Sequence, residues 1–257
     1  MNLPLLLQFT REDFIDRYAG SVLGGLWAFI HPLVMIFIFV VVFANVMAAR
    51  LPGLESSTYS YGIYLVSGLL PWMAFANTIG RCASVFLDKR ALIGKIHLPL
   101  AQLPLYVVLS EAITFVIGYT LFLGFLIVTG HLPGAAMLLV PFLFLAQQIL
   151  ALGIGLIFAV FNVFFRDLKE MATLLTTLWF WFTPIVWVLD IVPPLVQDIQ
   201  VHLNPAFLFV DAYHRVMVHG QIPEMDGLLR LLGIGAFVLL LAYGLLKALE
   251  KDIRDFL

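Results

Sequence analysis

The stretch "IHLPLAQLPLYVVLSEAITFVIGYTLFLGFLIVTGHLPGAAMLLVPFLFLAQQILALGIGLIFAVFNVFF" (Ile96–Phe165) decides the fold, because it contains a single charged residue, Glu111. A helix needs about 20 apolar residues to cross the hydrocarbon core of a bilayer, so this stretch is long enough for two crossings. The run Gly130–Gly134 supplies a turn between them. The sequence therefore predicts two membrane-spanning helices, at residues 100–128 and 135–164.

The whole chain has the composition of a membrane protein. Of its 257 residues, 62% are hydrophobic and 12% are charged, whereas soluble domains average about 45–50% apolar and roughly 25% charged residues. So few charged side chains cannot cover a globule of this size, and lipid must contact most of its surface. We therefore predict an all-α integral membrane protein with six transmembrane helices. The other four predicted spans lie at about residues 29–49, 59–80, 171–189 and 228–249.

Lysine and arginine residues in the connections predict the orientation of the spans, because they favour the cytoplasmic side. With both termini in the cytoplasm, three of the 14 cationic residues lie outside, namely Arg50, Arg215 and Arg230. The others lie inside: Arg11, Arg17, Arg81, Lys89, Arg90, Lys95, Arg166, Lys169, Lys247, Lys251 and Arg254. This excess predicts a multi-pass protein with both termini in the cytoplasm.

Residues 5–24 precede the first span and have two faces. Leu7, Phe14 and Tyr18 recur at helical spacing, while Arg11 and its acidic neighbours occupy another face. This pattern predicts an amphipathic helix that lies along the cytoplasmic interface. Because these charges follow the short apolar start at once, we expect no cleavable signal peptide.

Residues 81–99 form the longest inside connection and contain four of the inside cations. Its helical propensity, followed by Gly94 and Pro99, favours a short helix between two turns. The connection is either a docking element for a soluble partner or a charged loop that only fixes the topology.

The segment "PPLVQDIQVHLNPAFLFVDAYHRVM" (Pro193–Met217) is too polar and too interrupted by proline to span a bilayer. Asn204 is suited to cap a second helix with Pro205 at its first position. Each piece reaches about half of a bilayer. We predict two short re-entrant helices on the periplasmic side, between spans 5 and 6, that form a gate. The predicted gate residues are Asn204, Pro205, Phe207, Tyr213 and Arg215.

Sequence motifs of several enzyme classes are absent. The chain contains no Walker A, H-E-x-x-H, G-x-S-x-G or C-x-x-C motif. Its single cysteine, Cys82, excludes an intrachain disulfide. We therefore predict no catalytic residue, cofactor or metal site in this chain, and the net charge of −2 gives no indication of nucleic-acid binding.

Glu111 lies well inside a predicted span, whereas Arg230 and Lys247 lie near the two ends of the sixth span. Burial of a carboxylate at the bilayer centre costs about 2.5–3.5 kcal/mol or more. Its role is open between pairing with a neighbouring helix, a polar gate and a proton relay.

Aromatic residues are abundant, with 23 Phe, 8 Tyr and 5 Trp. Flat aromatic faces pack against the C–H face of sugar rings, which suits a polymer that must slide. The alternative is an ordinary set of interfacial and lipid-facing aromatics. The predicted channel aromatics are Tyr18, Trp27, Tyr59, Trp72, Trp179, Trp181 and Trp187.

Four stretches, in order along the chain, resemble the ABC-2-type membrane subunit of bacterial polysaccharide exporters. They are "RYAGSVLGGLWAFIHPLVMIFIFVVVF" (Arg17–Phe43), "LIGKIHLPLAQLP" (Leu92–Pro104), "NVFFRDLKEMATLLTTLWFWFTPIVW" (Asn162–Trp187) and "NPAFLFVDAYHRVMVHGQIP" (Asn204–Pro223). The second departs from the family pattern, with Leu98 where Phe is usual and Leu100 where Arg is usual. The chain is most similar to the subset that exports lipid-linked O-antigen, and capsule and teichoic-acid exporters are similar too.

The resemblance implies that residues 1–257 are a single transmembrane domain of the bacterial inner membrane. It implies a homodimeric channel for lipid-linked polysaccharide, with two separate ABC ATPase subunits that bind ATP and Mg on the cytoplasmic face. It assigns coupling to the ATPase to Asp88, Lys89, Arg90, Lys95, Arg166 and Asp167. Entrance cations for an anionic pyrophosphate would be Arg11, Arg17, Lys89 and Arg90.

Three alternatives to this function have different requirements. An ABC-2 exporter of a drug or small lipid would need only a closed pocket. A secondary transporter would need ionisable groups at the membrane midplane or inverted repeats. A membrane-embedded transferase would need a paired-carboxylate metal site, which the sequence lacks.

Overall fold

The computed structural model describes residues 3–42, 60–95, 98–131 and 134–257, and these residues form helices without a strand. The ten α-helices of this part of the chain are α1 (Leu3–Tyr18), α2 (Trp27–Phe37), α3 (Ser60–Asp88), α4 (Arg90–Ile93), α5 (Leu105–Val128), α6 (Val140–Asn162), α7 (Leu168–Phe182), α8 (Pro194–Leu203), α9 (Pro205–Met217) and α10 (Met225–Phe256). The prediction of an all-α protein is confirmed.

Within the residues that the structure describes, four helical segments are long and apolar enough to cross a membrane. They are Ser60–Asp88, Leu100–Val128, Ala135–Asn162 and Met225–Phe256, and they correspond to the second, third, fourth and sixth predicted spans. A shorter apolar helix, Gly24–Val40, covers part of the first predicted span. Residues 43–49 of that span lie outside the described residues.

The second predicted span is longer than its hydropathy indicates. Helix α3 continues to Asp88 instead of ending near residue 80, so the first half of the predicted connection 81–99 is helical. Val85 and Phe86 are fully buried there, and Arg81 is paired with acidic side chains of two other helices. These ion pairs neutralise the charge of Arg81 inside the bundle, so the helix continues past this residue.

The fifth predicted span is shorter than 171–189. Helix α7 has 15 residues, which is about 22 Å long, whereas the hydrocarbon core of a bilayer is about 30 Å thick. The helix ends where Thr183 adopts an extended conformation before Pro184, because a residue that precedes proline avoids the α-helical region. The count of six spans remains a prediction.

Helices α8 and α9 divide at Asn204, as the sequence predicts. The Asn204 side chain accepts a hydrogen bond from the backbone N–H of Ala206 at 3.1 Å, and Pro205 occupies the first turn of α9. Phe209 and Tyr213 of α9 are fully buried. Helix α9 is therefore part of the core, although its sequence contains several polar residues.

Helix α6 lies between α3 and α10, and two glycines permit its close contacts. A Cβ atom at Gly153 would lie 2.8 Å from the backbone nitrogen of Leu239 in α10. A Cβ atom at Gly155 would lie 2.6 Å from Cβ of Cys82 in α3. Small residues at these positions let neighbouring helices approach closely, as is common where helices pack in membranes.

The connections gather at two opposite ends of the bundle. At the α1 end, the contacts include the Phe9–Tyr106 ring pair, the Arg254–Leu98 hydrogen bond and the Phe164–Phe256 ring pair. At the α8 end, they include the hydrogen bonds Tyr61–Val186 and Arg230–Val201. Helix α3 runs from the α8 end to the α1 end, and so does α10.

Candidate functional site

A cluster of charged side chains joins three helices near the α1 end. Arg17 of α1 donates from Nη2 to Oε1 of Glu111 in α5 at 2.8 Å, and Arg81 of α3 donates from Nη1 to the same oxygen at 2.5 Å. Arg81 also donates to Asp13 of α1, and Ser110 Oγ donates to the second Asp13 oxygen at 2.5 Å. We call Asp13, Arg17, Arg81 and Glu111 the charge cluster.

Helical spacing places two of the four groups, Asp13 and Arg17, on one side of α1. Asp13 and Arg17 are four residues apart on α1, so both project from one face of that helix. One turn before Asp13 on the same helix, Phe9 is buried against Tyr106 of α5. Helix α1 is thus fixed to the bundle by an apolar contact and by the charge cluster.

The charge cluster is electrically balanced, with two acids and two bases. Glu111 is 1% exposed, whereas Arg17 and Arg81 are 25% and 28% exposed. The second Glu111 oxygen accepts a hydrogen bond from Asn77 Nδ2 at 3.3 Å, so both carboxylate oxygens have donors. Of the three roles open to Glu111, this geometry supports pairing between helices, because a buried carboxylate is stable only when it is paired and hydrogen-bonded.

A cavity of about 240 Å³ lies beside the charge cluster, between α2, α3 and α5. We call it the α2 cavity. One end is polar and is lined by Arg17, Tyr18, Asn77, Glu111 and Thr114. The other end is apolar, and Ile36, Phe39, Val66 and Leu70 line it. The cavity therefore has the polarity of an amphiphile, with a charged end and an apolar end.

Two predicted channel aromatics, Tyr18 and Trp27, line the α2 cavity, and Trp27 is 38% exposed. Trp181 on α7 is 62% exposed, and its carbonyl accepts a hydrogen bond from Trp187 Nε1 at 3.1 Å. The sequence prediction for Tyr59 falls outside the described residues.

Trp72 and Trp179 occupy a different environment. Trp72 is 5% exposed, and its ring contacts Phe75 and Trp179 at centroid distances of 5.6 and 6.1 Å. Trp179 donates from Nε1 to Oδ1 of Asn204 at 2.8 Å. In the single chain Trp72 is a core side chain without a face for a substrate, because its ring is enclosed by other aromatic rings.

A group of buried polar side chains connects α7, α8 and α9. Asn204 donates from Nδ2 to Thr183 Oγ1 at 3.1 Å and to Gln200 Oε1 at 2.7 Å. Gln200 donates from Nε2 to the carbonyl of Phe182 at 2.7 Å. We call Thr183, Gln200 and Asn204 the polar junction. The sequence prediction included Asn204 but missed Thr183 and Gln200. The signal for Gln200 is a polar residue one helical turn before the cap.

A cavity of about 500 Å³ opens at the α8 end, and its lining includes Phe207, Asp211 and Arg215. Arg215 pairs with Asp211 at 2.7 Å and with Glu224 at 2.9 Å, which ties α9 to the connection before α10. Burial opposes the charged form of Arg215, but the hydrogen bond and charge of Asp211 raise the pKa of its guanidinium above the usual value. Tyr213, predicted at the gate, is instead fully buried and contacts the ring of Phe115.

The predicted coupling residues lie at the α1 end. Asp88 accepts a hydrogen bond from Ser84 Oγ at 2.7 Å. The ammonium of Lys89 lies 5.6 Å from the ring centre of Phe9 and 5.5 Å from that of Tyr106, so Lys89 contacts the anchor of α1. Five further cations or acids predicted for coupling or entrance are exposed, namely Arg11, Arg90, Lys95, Arg166 and Asp167.

Comparison with known proteins identifies relatives along nearly the whole chain. Residues 4–218 match the family model described as ABC-2 type transporter. The chain is 28% identical over 252 residues to the O-antigen export system permease protein RfbA of Myxococcus xanthus, across 98% of this chain and 94% of that protein. It is 30% identical over 219 residues to a protein of the same name from Klebsiella pneumoniae, across 85% of this chain and 82% of that protein.

The family match extends from α1 to the end of α9 and includes the charge cluster, the α2 cavity and the polar junction. It confirms the resemblance drawn from the four sequence stretches. With several apolar helices long enough to cross a bilayer, this chain is a multi-pass membrane protein that belongs to the ABC-2 type transporter family.

Proposed function

We propose that this protein is the channel-forming permease subunit of an ATP-driven exporter that moves lipid-linked O-antigen polysaccharide across the bacterial inner membrane. The observation that carries the proposal is similarity to O-antigen export permeases over at least 82% of their length. In this proposal the α1 end faces the cytoplasm, where both termini lie, and the α8 end faces the periplasm.

Two copies of the chain form the channel, and each has six spans. The first span includes α2 with residues 38–42, and the fifth span includes α7 with residues up to 189. These helices support a homodimer because both expose apolar side chains at helical spacing, namely Phe29, Leu33, Phe37, Leu174, Leu178 and Trp181. Such faces pack against lipid or against a second copy.

Two ABC ATPase subunits bind ATP and Mg at the α1 end and supply the energy. The exposed residues Arg90, Lys95, Arg166 and Asp167 provide charged groups for this contact. The side chain of Lys89 connects this surface to α1 and α5, because its ammonium lies over the rings of Phe9 and Tyr106. A displacement of the connection after α3 is therefore passed to α1 through direct contacts.

Helix α1 acts as the cytoplasmic gate, and the charge cluster is its latch. The cluster lies at the polar end of the α2 cavity, so release of α1 changes access to that cavity. Arg11 and Arg90 are exposed at the same end, where they attract the pyrophosphate of the lipid carrier. Arg17 contributes to the latch through its ion pair with Glu111. Lys89 contributes through its contact with the ring of Phe9.

The polysaccharide slides along exposed aromatic side chains and leaves past α8 and α9. Trp27 and Trp181 keep accessible ring faces for stacking on sugars. The polar junction fixes α8 and α9 to the end of α7, so these three elements move as one unit. We propose that α8 and α9 re-enter the membrane from the periplasmic side and form the outer gate.

The assembly is tested by purification of this protein with and without a co-expressed ABC ATPase from the same organism. The chain purified alone is expected to hydrolyse no ATP. The co-expressed chain is expected to co-purify with the ATPase in equal amounts. Hydrolysis by the isolated chain, or export of polysaccharide from cells that lack every partner ATPase, would contradict the proposal.

A further inference from the structure

The last part of α10 returns to the α1 end and contacts two connections that are far apart in the sequence. Arg254 donates from Nη2 to the backbone carbonyl of Leu98 at 2.7 Å. Two residues later, the ring of Phe256 meets the ring of Phe164 edge to face, with centroids 5.1 Å apart. The same helical turn thus holds the segment before α5 and the connection between α6 and α7.

The carbonyl of Leu98 needs a donor from outside its own segment. Leu98 is 3% exposed, and among the described residues the donor to its backbone carbonyl is Arg254. A buried backbone carbonyl that lacks a partner destabilises the fold. The guanidinium of Arg254 meets this need with a charge-assisted hydrogen bond, which is stronger than one between neutral groups.

Arg254 itself is held in a fixed position. Glu250, one turn earlier on α10, lies 3.0 Å from the same Nη2 atom and orients the guanidinium. Ile253 is fully buried in one apolar cluster with Leu98 and Phe9. The end of α10, the segment before α5 and the anchor of α1 therefore share a single small core.

We propose that Arg254 is a positioning residue that fixes the segment from Leu98 to Pro104 relative to the connection around Phe164. The inference rests on the proposed function, in which these two connections form the surface that receives the ATPase. If the ATPase contacts both connections as one rigid surface, movement of the ATPase is converted into movement of α1 and α3. Without Arg254 the ATPase still binds and hydrolyses ATP, but hydrolysis is no longer tightly converted into transport.

The test compares reconstituted exporters that contain the full chain and its ATPase, and it measures polysaccharide transported per ATP hydrolysed. Arg254→Met is expected to lower this ratio at least about fivefold, the lower range of coupling between distant sites. The amount of bound ATPase and its hydrolysis rate are expected to stay within about twofold of wild type, well below that coupling range. Arg254→Lys retains a donor and is expected to recover part of the ratio.

Lys251→Met is the matched control, because it removes an exposed cation from the same helix. It is expected to leave the ratio unchanged. Glu250→Gln keeps Arg254 but weakens its orientation, and an intermediate ratio is expected. This second variant keeps the proposal testable if Arg254→Met fails to fold.

An unchanged ratio in Arg254→Met or in Glu250→Gln would overturn the proposal. Loss of ATPase binding in a folded Arg254→Met exporter would overturn it too, since Arg254 would then be a docking residue. A Lys variant no better than the Met variant would contradict the hydrogen-bond basis. Failure of the wild-type exporter to move polysaccharide would instead refute the proposed function.

Discussion

Replacement of Glu111 by Gln removes one negative charge from the charge cluster while it preserves the size of the side chain. Glu111 is 1% exposed and contacts both Arg17 and Arg81. After the change, two arginines face the single carboxylate of Asp13, so one positive charge is uncompensated. Removal of one partner from a buried ion pair typically costs about 3–5 kcal/mol.

The expected cost here is smaller, because both arginines keep about a quarter of their surface exposed. Solvent screening reduces it to about 2–3 kcal/mol. Most of this loss falls on the docking of α1, since Arg17 and Asp13 are its polar contacts with α3 and α5. A cost of this size raises the population of detached α1 by roughly 30- to 150-fold.

Hydrogen–deuterium exchange over residues 3–18 measures this population in the purified protein. Glu111→Gln is expected to speed exchange of α1 strongly, with little change over α6 and α10. Glu12→Gln is the matched control, because it neutralises an exposed carboxylate on α1 itself. Unchanged exchange of α1 in Glu111→Gln would refute the latch.

Three further predictions concern the core and the proposed path. Asn204→Ala removes a helix cap and the centre of the polar junction, so we expect about 2–3 kcal/mol of lost stability, seen as a lower melting temperature in detergent, with ATPase binding retained. Gly153→Ala should destabilise the α6–α10 contact by about 1–3 kcal/mol, whereas Gly124→Ala, which has open space around it, should be neutral in the same melting assay. A photoreactive residue at Trp181 should crosslink to polysaccharide during export, and one at Trp72 should not. A reversed crosslinking pattern would contradict the assigned environments.

The sequence was sufficient where structure depends on local patterns. Hydropathy located Leu100–Val128 and Ala135–Asn162 within a few residues, because both are continuous apolar runs. The break between α8 and α9 followed from Asn204 and Pro205, which act on the backbone next to them. Such features need no knowledge of distant residues.

Features that depend on distant partners were not predictable in the same way. The sequence predicts that Arg81 begins a connection, but Arg81 pairs with Asp13, 68 positions earlier in the chain, and remains helical. The burial of Trp72 also depends on distant partners, because a helix that is apolar on every side gives no signal of which face is buried. The pairing of Glu111 depends on where α1 docks on the bundle. The sequence places α1 only at the membrane interface and does not predict this docking.

The central claim is that this protein and its ATPase move lipid-linked polysaccharide across a membrane. Inverted membrane vesicles that contain both proteins and a labelled lipid-linked O-antigen on their outer surface test it most directly. ATP is expected to make the polysaccharide inaccessible to an added glycosidase, and omission of either protein is expected to prevent this. Polysaccharide that stays fully accessible while the complex hydrolyses ATP would contradict it.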